Sequence, residues 1–194
     1  MMMRGRVKTV NLEKGFGFIS AENGQEYYFN EDSLVSGISL YDIQRNMEME
    51  FEVTRQQGGR TKATNCRILD HESVEFFKKS ALTISEKKEL YDSFCDHARK
   101  YAERLATGDV TTSMIRKIYA RILNARGVED IKLLRPHFAY TSGRNEKVPV
   151  LREFMDLLDY LAKEMEIGNE QHLNNYKQFV EAIVAYRKYV GNDK

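Results

Sequence analysis

The chain has 194 residues, enough for two small domains or one larger one, and a formal net charge of +1, so no global basic field announces a nucleic-acid protein. Its two cysteines, Cys66 and Cys95, exclude a disulfide scaffold and make a reducing cytoplasm the default compartment. No apolar run approaches the roughly 18 residues of a membrane span, Met1-Met2-Met3-Arg4 is far too short for a signal peptide, and His71, His97, His137 and His172 lack metal-ligand spacing.

Residues 4 to 33, RGRVKTVNLEKGFGFISAENGQEYYFNEDS, place glycine-spaced aromatics and lysines on a predicted β-hairpin. Phe16, Gly17 and Phe18 follow the period of two that puts alternate side chains on one face of a strand. Asn23-Gly24 is a hairpin-turn signal, and Tyr27-Tyr28-Phe29 follows it. Alternating aromatics serve either as half of a sheet core or as a platform on which bases stack for roughly 1 to 3 kcal/mol each. Arg6, Lys8 and Lys14 carry the charge a phosphate needs.

Gly5-Arg6-Val7-Lys8, Asn11, Lys14-Gly15-Phe16-Gly17-Phe18-Ile19, Tyr27-Tyr28-Phe29-Asn30 and the later FEVTRQQGGRTKATNCRIL together resemble a cold-shock domain over residues 4 to about 70. The resemblance implies a five-stranded OB-type barrel that binds RNA or single-stranded DNA through Lys8, Lys14, Phe16, Phe18, Tyr28 and Asn30. Three positions depart from the family pattern. Thr9 and Val10 stand where it usually carries two aromatics, and Asn30 where it usually carries histidine, so a reduced platform and weaker binding are expected. Tyr27 and Phe29 are assigned the inward positions, although a one-residue change of register would exchange them with Tyr28.

Near Asp70 the pattern changes to helical spacing. His71 to Leu82, with Val74, Phe76 and Phe77, predicts a short helical connector spanning 71–84, either a tether or a fixed link. Ser85 is the expected cap of a helix carrying Leu90, Phe94, Ala98, Tyr101 and Leu105, ended by Gly108. His97 lies on that stripe, where a hydrogen-bonded, partly buried histidine is expected. Thr111, Thr112 or Ser113 caps the next helix, whose Ile115, Ile118, Tyr119 and Ile122 share a face before Gly127 stops it. Residues 129 to 143 form a third stretch that Pro136 must break or kink. Pro149 suits the first turn of a fourth helix with Leu151, Phe154, Leu158 and Leu161 on one side and Glu153, Asp156 and Glu164 on the other, a side that would repel phosphate. After Gly168 a last helix repeats Leu173, Tyr176, Val180, Ile183 and Val184. The predicted class is therefore α+β: an N-terminal five-stranded OB-type β-barrel over 1–70, then an all-α five-helix bundle over 85–194.

From Thr111 to Lys147 eight basic residues face three acidic ones. Arg116, Lys117, Arg121, Arg135 and Arg144 are the candidate phosphate contacts of the bundle. Lys117 and Arg121 lie four residues apart on the polar side of their helix, a spacing that also describes a solvated face. No nucleophile, base or metal constellation accompanies them, and no histidine follows an arginine at the Arg-x4–6-His spacing of helical RNases. No catalytic residue, cofactor or metal is expected.

Three strings carry a further pattern: TTSMIRKIY from Thr111, LRPHFAYTSGR from Leu134, and FVEAIVAYRK from Phe179. Together they resemble the small helical subunit of type III-A CRISPR effector complexes, the Csm complexes, over about residues 85 to 191. The resemblance implies a non-catalytic scaffold that self-associates into a short filament, beside the backbone and large subunits, and lines the groove holding guide RNA and target RNA. In such a groove cations recognise phosphate while base pairing reads sequence. Arg187 stands where that family often has histidine; near the Val180–Ile183–Val184 face its guanidinium must snorkel out, meet an acid or reach a phosphate. The barrel lies outside the small-subunit pattern and is expected to add single-strand contacts, raising local affinity. The other reading is a free-standing cold-shock-like RNA chaperone or regulator whose bundle dimerises or binds a partner.

Overall fold

Residues 2–45, 47–55 and 61–191 are described by the computed structural model, which divides into two units, Met1–His71 and Glu72–Lys194. In the first, alternating sequence becomes five strands: β1 (Met2–Asn11), β2 (Phe16–Ala21), β3 (Glu26–Asn30), β4 (Glu48–Arg55) and β5 (Thr61–Ile68). They close into a barrel in the order β1-β2-β3-β5-β4, antiparallel except where β3 meets β5 in parallel at Tyr28 and Lys62. Among the described residues, closure gives every strand a neighbour on both sides. The predicted fold class is thus the observed one. Residues 56–60, the middle of the FEVTRQQGGRTKATNCRIL string, lie outside the described residues.

Along β2 and β3 alternate side chains point inward, while in β5 the alternation slips at Asn65, whose φ is 51, so that Ala63 and Cys66 both face the interior. Val7, Ile19, Tyr27, Phe29, Met49, Phe51, Ala63 and Cys66 form the interior, and burial pushes the Cys66 thiol up to about 12, leaving it a small inert hydrophobe. Gly17 shares that inward side. A Cβ there would come within 2.5 Å of the Phe29 ring and 2.6 Å of the Thr9 carbonyl oxygen, so only glycine lets β2 pass between two aromatics that face outward. Gly24 closes the β2–β3 turn with φ +78, the left-handed region that costs glycine nothing.

The second unit holds seven α-helices among the described residues rather than five: α1 (Glu72–Ser80), α2 (Tyr91–Thr107), α3 (Thr112–Asn124), α4 (Val128–Leu133), α5 (Arg135–Arg144), α6 (Pro149–Glu164) and α7 (Glu170–Val190). Pro136 accounts for one of the extra pair. It sits in the first turn of α5, where its missing N–H is harmless, and splits the 129–143 stretch in two. The other is α1, expected as part of a connector over 71–84. Val74, Phe77, Ala81 and Ile84 instead lie in the core of the helical unit, with the Phe77 ring 4.8 Å from Phe179 and 5.7 Å from Phe94.

That burial also moves a helix start. Two 3-10 turns, Ala81–Thr83 and Lys88–Leu90, carry the chain into α2, which begins at Tyr91 and not after Ser85. Ser85 caps nothing; its hydroxyl accepts a hydrogen bond from Gln171 at 2.8 Å. Thr111 does cap α3, its oxygen accepting from the Met114 N–H at 3.3 Å. The C-terminal stop expected at Gly127 falls two residues earlier, at Ala125, whose carbonyl receives Lys177 Nζ at 2.6 Å.

Arg187 corrects a further expectation. It is 1% exposed, so its guanidinium does not snorkel to solvent. Nε donates to the Val110 carbonyl at 2.7 Å and Nη1 to that of Gly191. One buried cation thereby ties the end of α7 to the turn between α2 and α3, supplying donors to carbonyls that helix ends leave unsatisfied.

Candidate nucleic-acid interface

On the barrel, β2 turns Phe16 and Phe18 outward and β3 adds Tyr28, cross-strand neighbour of Phe18. The three rings form a cluster with centroids 5.8 Å (Phe16–Phe18), 5.8 Å (Phe16–Tyr28) and 6.0 Å (Phe18–Tyr28) apart. All three are half-buried, whereas Tyr27 and Phe29 between them are buried. Phe18 meets both neighbours edge to face while Phe16 and Tyr28 are tilted by 30° to each other, and rings so held, with part of each surface in water, are preorganised for a base to stack upon. On β1, exposed Thr9 pairs with Phe18, while Val10 pairs with Gly17 and packs on the interior. Of the two positions where the family carries aromatics, only Thr9 therefore shortens the outer platform.

The cations around it are unequal. Lys8 is ion-paired with Glu26, Arg6 with Glu48 at 2.8 Å, and Arg4 and Arg67 share Glu50. The Arg67 hydrogen bond holds the Glu50 carboxyl below its ordinary 4.5 despite partial desolvation. Lys8 thus has a carboxylate beside it in an exposed surface pair, which a phosphate would have to displace. Asn30 is also occupied: its Oδ1 accepts from the Ser33 hydroxyl at 2.9 Å, and its amide approaches Asp32 at 3.5 Å, fixing the turn after β3. Lys14 keeps an exposed ammonium on the Asn11–Gly15 turn, where its own N–H donates to Asn11 Oδ1 at 2.9 Å.

Sequence reasoning missed Lys62. The parallel β3–β5 pairing sets it beside Tyr28, and no hydrogen bond or ion pair is formed by its ammonium among the described residues. Only the period of two around buried Ala63 hints at its outward direction; that it lies next to the rings is a consequence of barrel closure.

In the helical unit, Ile115, Ile118 and Ile122 bury one face of α3 and leave Arg116, Lys117 and Arg121 exposed on the other. None of the three has a hydrogen-bond or ion-pair partner among the described residues. Arg144, in the last turn of α5, is likewise exposed and without one. Arg135 does not join them. Its Nε and Nη2 grip the two oxygens of Asp159 at 2.7 and 3.4 Å, which raises the guanidinium's pKa and holds the carboxyl low. Lys163 adds a second ion pair to Asp159 at 3.1 Å.

Other basic side chains serve the fold. Lys132 Nζ donates to the Ala162 and Lys163 carbonyls at 2.9 and 3.0 Å, closing the end of α6, and Arg104 holds Glu153 in a two-pronged pair at 2.9 and 2.7 Å. The acidic side of α6 is therefore partly neutralised within the unit. His97 matches its structural reading: Nδ1 lies 3.1 Å from the Ser73 hydroxyl, the ring stacks on Phe76 at 4.2 Å, and burial lowers its pKa. Among the described residues no group of three or more His, Cys, Asp and Glu side chains could hold a metal ion, and no helix is long and apolar enough to cross a membrane.

A family model described as Csm2 Type III-A matches residues 88–193, more than half of the chain. One for the 'Cold-shock' DNA-binding domain matches residues 3–69. Among curated proteins, Probable cold shock protein A of Mycobacterium tuberculosis is 37% identical over 68 residues, 35% of this chain and 100% of the relative. Cold shock-like protein CspA of Stigmatella aurantiaca is 39% identical over 68 residues, 35% and 98% of the two chains. Major cold shock protein of Streptococcus pyogenes serotype M1 is 40% identical over 58 residues, 30% and 85%.

Proposed function

We propose that this chain, which belongs to the Csm2 type III-A family and carries a cold-shock domain ahead of the family region, is a non-catalytic small subunit lining the groove that guide RNA and target RNA occupy in a cytoplasmic type III-A complex. The observation that carries this reading is the sorting of cations in the helical unit. Those that organise the fold are bound to carbonyls or carboxylates, as Lys132, Arg135, Lys177 and Arg187 are. Arg116, Lys117, Arg121 and Arg144 are exposed and unoccupied, able to meet phosphates without reading bases. Copies of the chain stack beside the backbone and large subunits, so each copy adds a few phosphate contacts along the same duplex. The barrel contributes a single-strand site through Phe16, Phe18, Tyr28 and Lys14, which raises local affinity for exposed target RNA.

Purification of a tagged chain from its native host tests the proposal. A guide RNA of discrete length and several further subunits are expected to accompany it. A heterogeneous RNA pool without those subunits would replace this reading with a free-standing RNA chaperone whose helical unit dimerises. Incubation of the pure chain with single-stranded RNA, with and without divalent metal, should give no cleavage; turnover abolished by one substitution in the chain would overturn the scaffold role.

A further inference from the structure

We propose that Lys62 is a phosphate-binding residue of the barrel, serving a single-stranded nucleic acid stacked on Phe16, Phe18 and Tyr28 in the role the sequence assigns to Lys8. The inference rests on the barrel's being a nucleic-acid site. Lys62 is the parallel cross-strand partner of Tyr28, and paired residues on one face of a sheet lie roughly 5 Å apart. Its neighbour Ala63 is fully buried, so strand alternation turns Lys62 to the outside with the ring.

The surroundings keep its charge available. Its partner on β4 is Thr54, whose hydroxyl is hydrogen-bonded to Thr64 at 2.9 Å; neither strand beside Lys62 sets a carboxylate opposite it. Lys8, Arg6, Arg4 and Arg67 are all paired with Glu26, Glu48 and Glu50. A strand stacked across the three rings runs from Lys14, at the Phe16 end, to Lys62, beside Tyr28, and meets one ammonium at each side. The four-carbon lysine stem spans the ring edge to reach the phosphate that follows a stacked base. The ligand class is therefore a short unpaired strand held by ring faces and few ion contacts. RNA and DNA share that chemistry.

The test uses the full chain in a background where Arg116, Lys117 and Arg121 are alanine, so that the α3 stripe contributes nothing. Binding of labelled hexauridine and hexathymidine is followed across a salt series, and the tighter probe assigns the source. Lys62→Ala should weaken binding roughly threefold to tenfold and reduce the slope of log affinity against log salt by about 0.7, the loss of one single-strand phosphate contact. Lys62→Arg should keep both. If Phe18→Ala weakens binding while Lys62→Ala leaves affinity and slope unchanged, Lys62 is not a contact and the stacking site stands without it. If Phe18→Ala has no effect on either probe, the barrel reading fails and this assignment with it.

Discussion

In the barrel, nine basic residues are outnumbered by ten acidic ones up to His71, and four of the nine lie against glutamates. Beside the outward cluster of rings lie Lys14 and Lys62, while exposed Arg45 and Arg55 belong to other parts of the chain. In the helical unit the exposed face of α3 carries Arg116, Lys117 and Arg121, with no ring cluster beside them among the described residues. As proposed, the two surfaces would meet nucleic acid through different physics. Stacking is indifferent to ionic strength, whereas phosphate contacts release counterions and weaken steeply with salt. The contrast teaches that a basic residue's partner, more than its number in a window, decides whether it can recognise anything. Of eight basic residues from Thr111 to Lys147, Lys132 and Arg135 are already spent on the fold.

The comparison breaks first in the interiors. Phe29→Ala should open a cavity in the barrel and cost roughly 3 to 5 kcal/mol, and hydrogen exchange should place the loss of protection in the strands alone. Equal loss across α2, α6 and α7 would mean the two units are not energetically separate. In the helical unit, Arg187→Leu strands the Val110 and Gly191 carbonyls and should cost on the order of 2 to 4 kcal/mol by denaturant unfolding. An unchanged midpoint would mean that these buried hydrogen bonds contribute nothing net to the fold.

Smaller effects sharpen the contrast of mechanism. Phe18→Ala should lower single-strand affinity by about 1 to 3 kcal/mol with the melt little changed; a large melting shift with unchanged affinity would make the rings packing and not platform. Lys117→Ala combined with Arg121→Ala should leave stability within about 0.5 kcal/mol and flatten the salt dependence of RNA binding by roughly 1.4 in slope, two contacts at about 0.7 each. An unchanged slope removes both from the interface.

The smallest expected effect is a pH dependence. Because Arg67 and Arg4 hold the folded Glu50 carboxyl below its ordinary 4.5, the unfolded chain binds the proton more readily. The stabilisation is fully present above that value and is lost as pH falls below it toward the folded pKa. Barrel melting followed through that acid range should show a fall that Glu50→Gln abolishes, and an identical fall in the variant would assign it elsewhere.

The β2–β3 hairpin, Gly24, the Thr111 cap, the Pro136 break and the buried stripes of α2, α3, α6 and α7 were legible because each follows from local periodicity or turn chemistry; the closing strands were legible only through the cold-shock resemblance. Less was legible where burial overrode local signals. Ser85 reads as a cap, yet Ile84 is 1% exposed, and drawing it into the core postpones α2 to Tyr91. The 71–84 segment reads as a connector, yet Phe77 fills the space between Phe94 and Phe179. Among the candidate residues, alternation sufficed to turn Phe16, Phe18 and Tyr28 outward, and helical phase to expose Arg116, Lys117 and Arg121.

The sequence by itself determined the change from strand to helical periodicity near Asp70 and the polar face of the β2–β3 hairpin and of the main helices, since those depend on residues within a few positions of one another; the barrel class and the family region came through the resemblance that the motifs carry. Tertiary structure alone decided which polar side chains are available. Lys8 and Glu26, Arg135 and Asp159, Asn30 and Ser33, and Arg187 and Val110 meet through pairing, packing or turn closure, and Lys62 reaches the ring cluster only because β5 closes the barrel against β3. An ion pair or a hydrogen bond acts over a few ångströms, and apart from the Asn30 turn those ångströms separate residues distant along the chain, so no local pattern could announce them.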